Sequence, residues 1–120
     1  NILLKMDGGG SNVLYRERMP VPVSMWRPWE RWFGKRDGAR ADLFANPVVE
    51  VHGRRIAPLI CYELLLVWPV LHSMLNGADT MVAVGNGWWT AGGSVVEIQR
   101  ANATAWARLF GIPLVISFNT

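Results

Sequence analysis

Hydrophobic and polar positions alternate along Asn1–Met6 and again along Asn12–Arg18, with Asp7-Gly8-Gly9-Gly10-Ser11 between them. A period of two marks a half-buried strand and the glycines supply the positive φ of a hairpin tip, so a β-hairpin opens the chain. From Pro20 to Pro47 no period is sustained. Pro20, Pro22, Pro28, Gly34, Gly38 and Pro47 interrupt helix and central strand alike, and the stretch reads as a long loop. Val48–Val51 and Arg55–Ile60 then flank His52-Gly53, a two-residue turn, so a second hairpin runs directly into Cys61.

From Tyr62 to Asn76 the apolar residues Leu64, Leu65, Val67, Trp68, Leu71, Met74 and Leu75 recur at helical spacing, and Asn76-Gly77 provides the stop. Thr80–Val84 is a short buried strand. Ser94, with Glu97 three residues on, opens a capped helix that reaches Phe110 and ends at Gly111. Pro113–Phe118 is the last strand. The order ββ-loop-ββ-α-β-α-β favours a layered α/β fold.

Composition narrows this further. At 120 residues, 51% hydrophobic and 18% charged, the chain must bury a core and holds one domain at most. Its longest apolar stretch, Ile56–Leu71, is interrupted by Pro58, Glu63 and Pro69, and falls short of the roughly 20 apolar residues that a bilayer helix needs. The start at Asn1 and the stop after an apolar run read as cuts inside a longer protein. The net charge of +3 is local, because Arg16, Arg18, Arg27, Arg31, Lys35, Arg36 and Arg40 supply most of the 12 cations. Their interleaving with Trp26, Trp29 and Trp32 suits a loop anchored by indole rings, or one lying at a membrane interface, better than a nucleic-acid surface.

The single cysteine carries the chemistry. Cys61 falls where a strand gives way to a helix, which exposes a nucleophile above the sheet. A helix N-terminus there would lower the thiol pKa. A lone cysteine in apolar company is otherwise a core residue. His72 cannot be its base, because eleven residues of helix put the two about 16 Å apart. His52 belongs to the turn at the other end of the strand. Two histidines so placed do not make a zinc site, and Gly8-Gly9-Gly10, with no lysine or helix after it, is a turn and not a phosphate loop.

Taken in order, Tyr15–Pro22, Arg55–Glu63, Gly77-Ala78-Asp79, Asn86-Gly87-Trp88-Trp89 and Pro113–Thr120 resemble the C-terminal half of the carbon-nitrogen hydrolase (nitrilase) superfamily. Ile60-Cys61-Tyr62-Glu63 is similar to the branch that holds the apolipoprotein N-acyltransferases and a group of conjugal transfer proteins, and Met19–Trp29 is most similar to the latter. The resemblance implies half of a nitrilase-type α-β-β-α sandwich over residues 1–120, with the N-terminal half of the domain absent and apolar surface left open.

The resemblance also implies a Glu, Lys and Cys triad, with neither cofactor nor metal. Cys61 is then the nucleophile, Glu63 a supporting acid, and Asn86, Trp88 and Trp89 the substrate-binding wall; the base Glu belongs to the absent half. Counting back from Val21-Pro22, the Lys position holds Glu17, between Arg16 and Arg18. A carboxylate there would raise the thiol pKa and repel an oxyanion. Strand alternation puts Arg16 and Arg18 on the face opposite Glu17, so a slip of one residue would present an arginine. The acidic residue that follows Val-Pro in the acyltransferases is replaced by Val23-Ser24-Met25-Trp26.

The expected function is thiol-based amide or ester hydrolysis, or acyl transfer, in plasmid conjugation at the bacterial inner membrane. A catalytically degenerate assembly module and an apolipoprotein N-acyltransferase-like enzyme are the alternatives. The expected partners are the missing half-domain, a membrane surface or conjugation proteins, and further copies of the chain.

Overall fold

A computed structural model describes residues 1–22, 29, 41–87 and 93–119. The opening alternation folds as expected. Ile2–Asp7 (β1) pairs antiparallel with Gly10–Arg16 (β2), from Ile2↔Arg16 to Asp7↔Gly10, with one irregularity between Leu3 and Leu4. Gly10, at φ +138°, takes the backbone conformation that only glycine adopts freely. Of the loop tryptophans, Trp29 is exposed, while Trp26 and Trp32 lie outside the described residues.

The second sheet has the order β3-β4-β5-β6. Val49–Val51 (β3) and Arg54–Ile60 (β4) are antiparallel across His52-Gly53, both at positive φ, as a two-residue hairpin turn demands. Thr80–Asn86 (β5) and Leu114–Asn119 (β6) add in parallel. Parallel neighbours need crossovers, which Val67–Leu75 (α1) and Val95–Phe110 (α2) provide. Pro58 is tolerated inside β4 because the pairing with β3 stops at Val49↔Ile56, so no bond to that strand is lost.

The helix expected over Tyr62–Asn76 is two elements. Cys61–Leu65 form a 3-10 helix, Leu66 is extended at φ −108° and ψ 141°, and α1 begins only at Val67. Pro69 explains the break: it has no N–H to offer the Leu65 carbonyl, so an α-helix cannot run through that turn. Helix α2 matches the expected stop, with Gly111 left-handed at φ +63° and its N–H bonded to α2 carbonyls. The expected Ser94 side-chain cap does not form. The Ser94 carbonyl takes the Ile98 N–H instead, at 2.9 Å.

The core sits between this sheet and the helices, with Leu59, Leu64, Val70, Met81, Ala83 and Ala103 buried and Trp106, Leu114, Ile116 and Phe118 packed on them. Apolar surface stays open elsewhere. Ile2, Leu4, Met6 and Val13 of the hairpin and Val115 of β6 are exposed.

Candidate active site

Strand β4 delivers Cys61 to the sheet's carboxyl edge, where the backbone turns at φ +48° into the 3-10 helix. An L-residue pays roughly 1–2 kcal/mol for left-handed backbone. The surrounding bonds must therefore hold it, and a sulfur aimed by a strained turn is the geometry that nucleophiles use. Three N–H groups approach the half-buried sulfur: the main-chain N–H groups of Tyr62 and Asn86 and the Gln99 side chain, whose Nε2 is 3.9 Å from Sγ and 2.9 Å from the Cys61 carbonyl.

The thiol is nevertheless raised above its ordinary value. Burial is the main cause and the charge of Glu17 adds to it, against the lowering by Gln99, Asn86 and Tyr62. This corrects the expected lowering by a helix N-terminus: the element after Cys61 is a five-residue 3-10 helix, separated from α1 by Leu66.

Glu63 is fully buried and saturated with donors. Tyr15 Oη lies 2.8 Å from both of its oxygens; Oε1 also takes the N–H groups of Arg18 and Met19, and Oε2 takes that of Ile60 at 3.0 Å. The Ile60 bond is the acid half of a capping box. Arg18 Nε donates to Tyr15 Oη at 2.8 Å and stands 3.7 Å from Glu63 Oε1, while its Nη2 reaches the Pro69 carbonyl and Ser73 Oγ on α1. Burial and the Glu63 charge drive the Tyr15 phenol far up, so it stays a donor. The network fastens the end of β2 onto the turn that carries the sulfur.

Glu17 is also buried. Asn1 Nδ2 donates to its Oε2 at 2.6 Å, and Oε1 is buried with no hydrogen-bond partner among the described residues. The expectation that alternation would put Arg16 and Arg18 opposite Glu17 fails, because β2 ends at Arg16 and the chain bends beyond it. Arg16 is exposed, whereas Glu17 and Arg18 are both buried. With Arg18 committed to Glu63, no slip presents an arginine in place of Glu17.

Asn86 ends β5 in an exposed position, and its main chain is the part that meets the sulfur. Trp88 and Trp89 lie outside the described residues. His52 is exposed in its turn at φ +50°, and His72 stacks on Trp68 with ring centroids 5.2 Å apart. Asp79 clasps β4 by accepting the Arg55 N–H at 3.2 Å, so Gly77-Ala78-Asp79 is a structural turn. An apolar groove of about 560 Å³ is lined by Met19, Leu43, Phe44, Leu66, Val67, Trp68 and Pro69; Cys61 does not line it. Among the described residues no cluster of three or more His, Cys, Asp or Glu could hold a metal.

Gln99, Tyr15 and Arg18 were not singled out as site residues by the pattern. Gln99 had a legible signal, since it shares the buried stripe of α2 with Ala103 and Ala107, where a polar side chain needs a partner.

The carbon-nitrogen hydrolase family profile matches residues 1–108. The chain belongs to the carbon-nitrogen hydrolase family. Within that family it is similar to the probable conjugal transfer protein TraB of Sinorhizobium fredii, 65% identical over 120 residues, and to the conjugal transfer protein TraB of Agrobacterium fabrum, 58% identical over 120 residues. All of this carbon-nitrogen hydrolase chain is covered in both cases, but only 31% and 28% of the two relatives' own lengths. The mixed α/β architecture, with two sheets and two α-helices among the described residues, agrees with a partial nitrilase-type fold. No helix among those residues is long and apolar enough to cross a membrane, so the inner-membrane expectation draws no support from this chain.

Proposed function

We propose that Cys61 is the nucleophile of a TraB-type carbon-nitrogen hydrolase domain that serves plasmid conjugation by hydrolysing an amide or ester, or by transferring its acyl group to an amine. Sγ attacks the carbonyl carbon, the leaving group departs, and water or an amine releases the acyl-enzyme. The observation that carries this reading is the left-handed turn at Cys61, with main-chain and Gln99 N–H groups gathered on the sulfur. Glu63 supports the site by position, holding the turn. Asn86, with Trp88 and Trp89 after it in sequence, is assigned the substrate-binding role. The absent half-domain covers the exposed apolar residues and brings the second carboxylate; membrane association and self-assembly belong to the whole protein.

The test is acylation of the intact protein by p-nitrophenyl acetate. A burst of p-nitrophenol that leaves an acetyl group on Cys61 and disappears in Cys61→Ala is the expected result. No Cys61-dependent burst at any pH from 6 to 10 overturns the reading.

A second reading is favoured by the raised thiol and by a carboxylate where the family has lysine. It makes the domain a degenerate module kept for binding or assembly in conjugation. Sluggish alkylation of Cys61 by iodoacetamide, together with no burst, is its signature.

A further inference from the structure

Helix α2 buries Gln99 in one stripe with Ala103 and Ala107, and Gln99 is only 4% exposed. A carboxamide buried so far needs acceptors for its N–H groups. It finds them at the turn, where Nε2 donates to the Cys61 carbonyl at 2.9 Å and stands 3.9 Å from Sγ. The group has two protons, so one nitrogen serves both atoms. Three residues on, Asn102 Nδ2 donates to the Leu64 carbonyl at 3.2 Å. Positions three apart share a face of an α-helix, and Cys61 and Leu64 are one turn apart in the 3-10 helix. The two helices are therefore matched turn for turn, with Asn102 fastening the far end and Gln99 the end that carries the sulfur.

That end needs the help. Burial and the Glu17 charge oppose a thiolate, and what favours one is the Gln99 amide together with the main-chain N–H groups of Asn86 and Tyr62. Arg18 is engaged by Glu63, and Arg16 is exposed. The Cys61 carbonyl and the Tyr62 N–H belong to one planar peptide unit. A bond that fixes the carbonyl therefore also sets the direction of the N–H, and it does so beside a residue held at φ +48°.

We propose that Gln99 is the positioning residue of the Cys61 nucleophile, an assignment that rests on the thiol-acyl reading above: its carboxamide holds the Cys61–Tyr62 peptide plane at the left-handed turn and offers its second N–H to the sulfur. As Sγ becomes an anion the N–H···S contact becomes charge-assisted and tightens. Gln99 itself neither gains nor loses a proton.

The experiment uses two variants of the intact protein. Gln99→Met keeps an unbranched side chain of similar length and removes its donors; Asn102→Ala loosens the 3-10 helix at Leu64, three residues from the sulfur. Cys61 is titrated by the absorbance difference from Cys61→Ala, and acetylation by p-nitrophenyl acetate is divided by the thiolate fraction at the same pH. Gln99→Met is expected to move the thiol titration to higher pH and to slow acetylation per thiolate by about 10-fold, the effect of losing one hydrogen bond to a charged group. A more basic sulfur is ordinarily the better nucleophile, so a slower reaction from it reports lost aim. Asn102→Ala is expected to keep the parent titration. If Gln99→Met does not fold, Gln99→Asn, which draws the amide back by one methylene, is expected to shift both readings in the same directions.

An unmoved titration in whichever Gln99 variant folds, or acetylation per thiolate equal to the parent's, overturns the proposal. So does an Asn102→Ala shift as large as the one at Gln99, which would mean general loosening. If the parent forms no acetyl-Cys61 the thiol-acyl reading falls, and the titration alone judges Gln99: a shift confined to its variants supports its hold on the sulfur, and an unmoved one ends it.

Discussion

Glu17 costs the fold more as its proton leaves. Its carboxyl is raised from 4.5 to about 7 in the native protein, so between those values the folded state holds more proton than the unfolded chain, and stability from this group falls as pH rises. The cost is absent below 4.5, complete above 7, and amounts to roughly 3 kcal/mol for a shift of this size. Urea unfolding at pH 5 and pH 8 should show the parent losing stability relative to Glu17→Gln on going to the higher pH. A constant difference between the two proteins would contradict it. At this scale the sequence is informative about where the candidate residues stand and poor on their state. Cys61 at a strand end follows from the hydrophobic pattern, and Glu17 follows from counting back from Val21-Pro22. The sign of the thiol shift does not, because it is decided by burial and by a carboxylate far away in sequence. The raised thiol reverses what a helix N-terminus alone would predict.

Elements were legible wherever one rule acted alone. The two hairpins followed from alternation and glycine-bearing turns, and α2 from its stripe and Gly111. They were misread where two rules met. The apolar spacing of Tyr62–Asn76 is helical throughout, yet Pro69 withholds one hydrogen bond and splits the run into a 3-10 helix and α1. Likewise the alternation of β2 does not extend to Glu17 and Arg18, because burying Glu63 draws both main-chain and side-chain donors of Arg18 inward.

The match between β5 and β6 is equally demanding. Gly85 pairs with Phe118 in register, and a Cβ at Gly85 would overlap the Phe118 ring, which also lies 5.0 Å from the Arg100 guanidinium carbon. Gly85→Ala should destabilise the protein by about 1–3 kcal/mol. Adding Phe118→Leu should cost less than the two single changes summed, because the shorter side chain yields the space. Additive losses in urea titrations would place the strain elsewhere.

At the scale of the molecule, the hairpin β1–β2 stands apart from the four-stranded sheet and is joined to it by polar groups. Tyr15 and Arg18 on its trailing end meet Glu63 on the 3-10 helix and Ser73 on α1. The sheet has an apolar core of its own, whereas the hairpin leaves Ile2, Leu4, Met6 and Val13 exposed. Global stability should therefore reside in β4 and β5, and the hairpin should open on its own at lower cost. Glu63→Gln removes the anion that pairs with the buried Arg18 among the described residues, a loss of about 3–5 kcal/mol when a buried ion pair is broken on one side. If that network is the weld, hydrogen exchange in Glu63→Gln will speed up first at the amides of β2, Arg18 and Met19. Met81 and Ala83 will remain the slowest to exchange. The same change should release the strained turn at Cys61, since Glu63 grips it through the Ile60 N–H. Uniform acceleration across the hairpin and β5 alike would mean that the two sheets unfold as one unit, and that the carboxylate network is not what joins them.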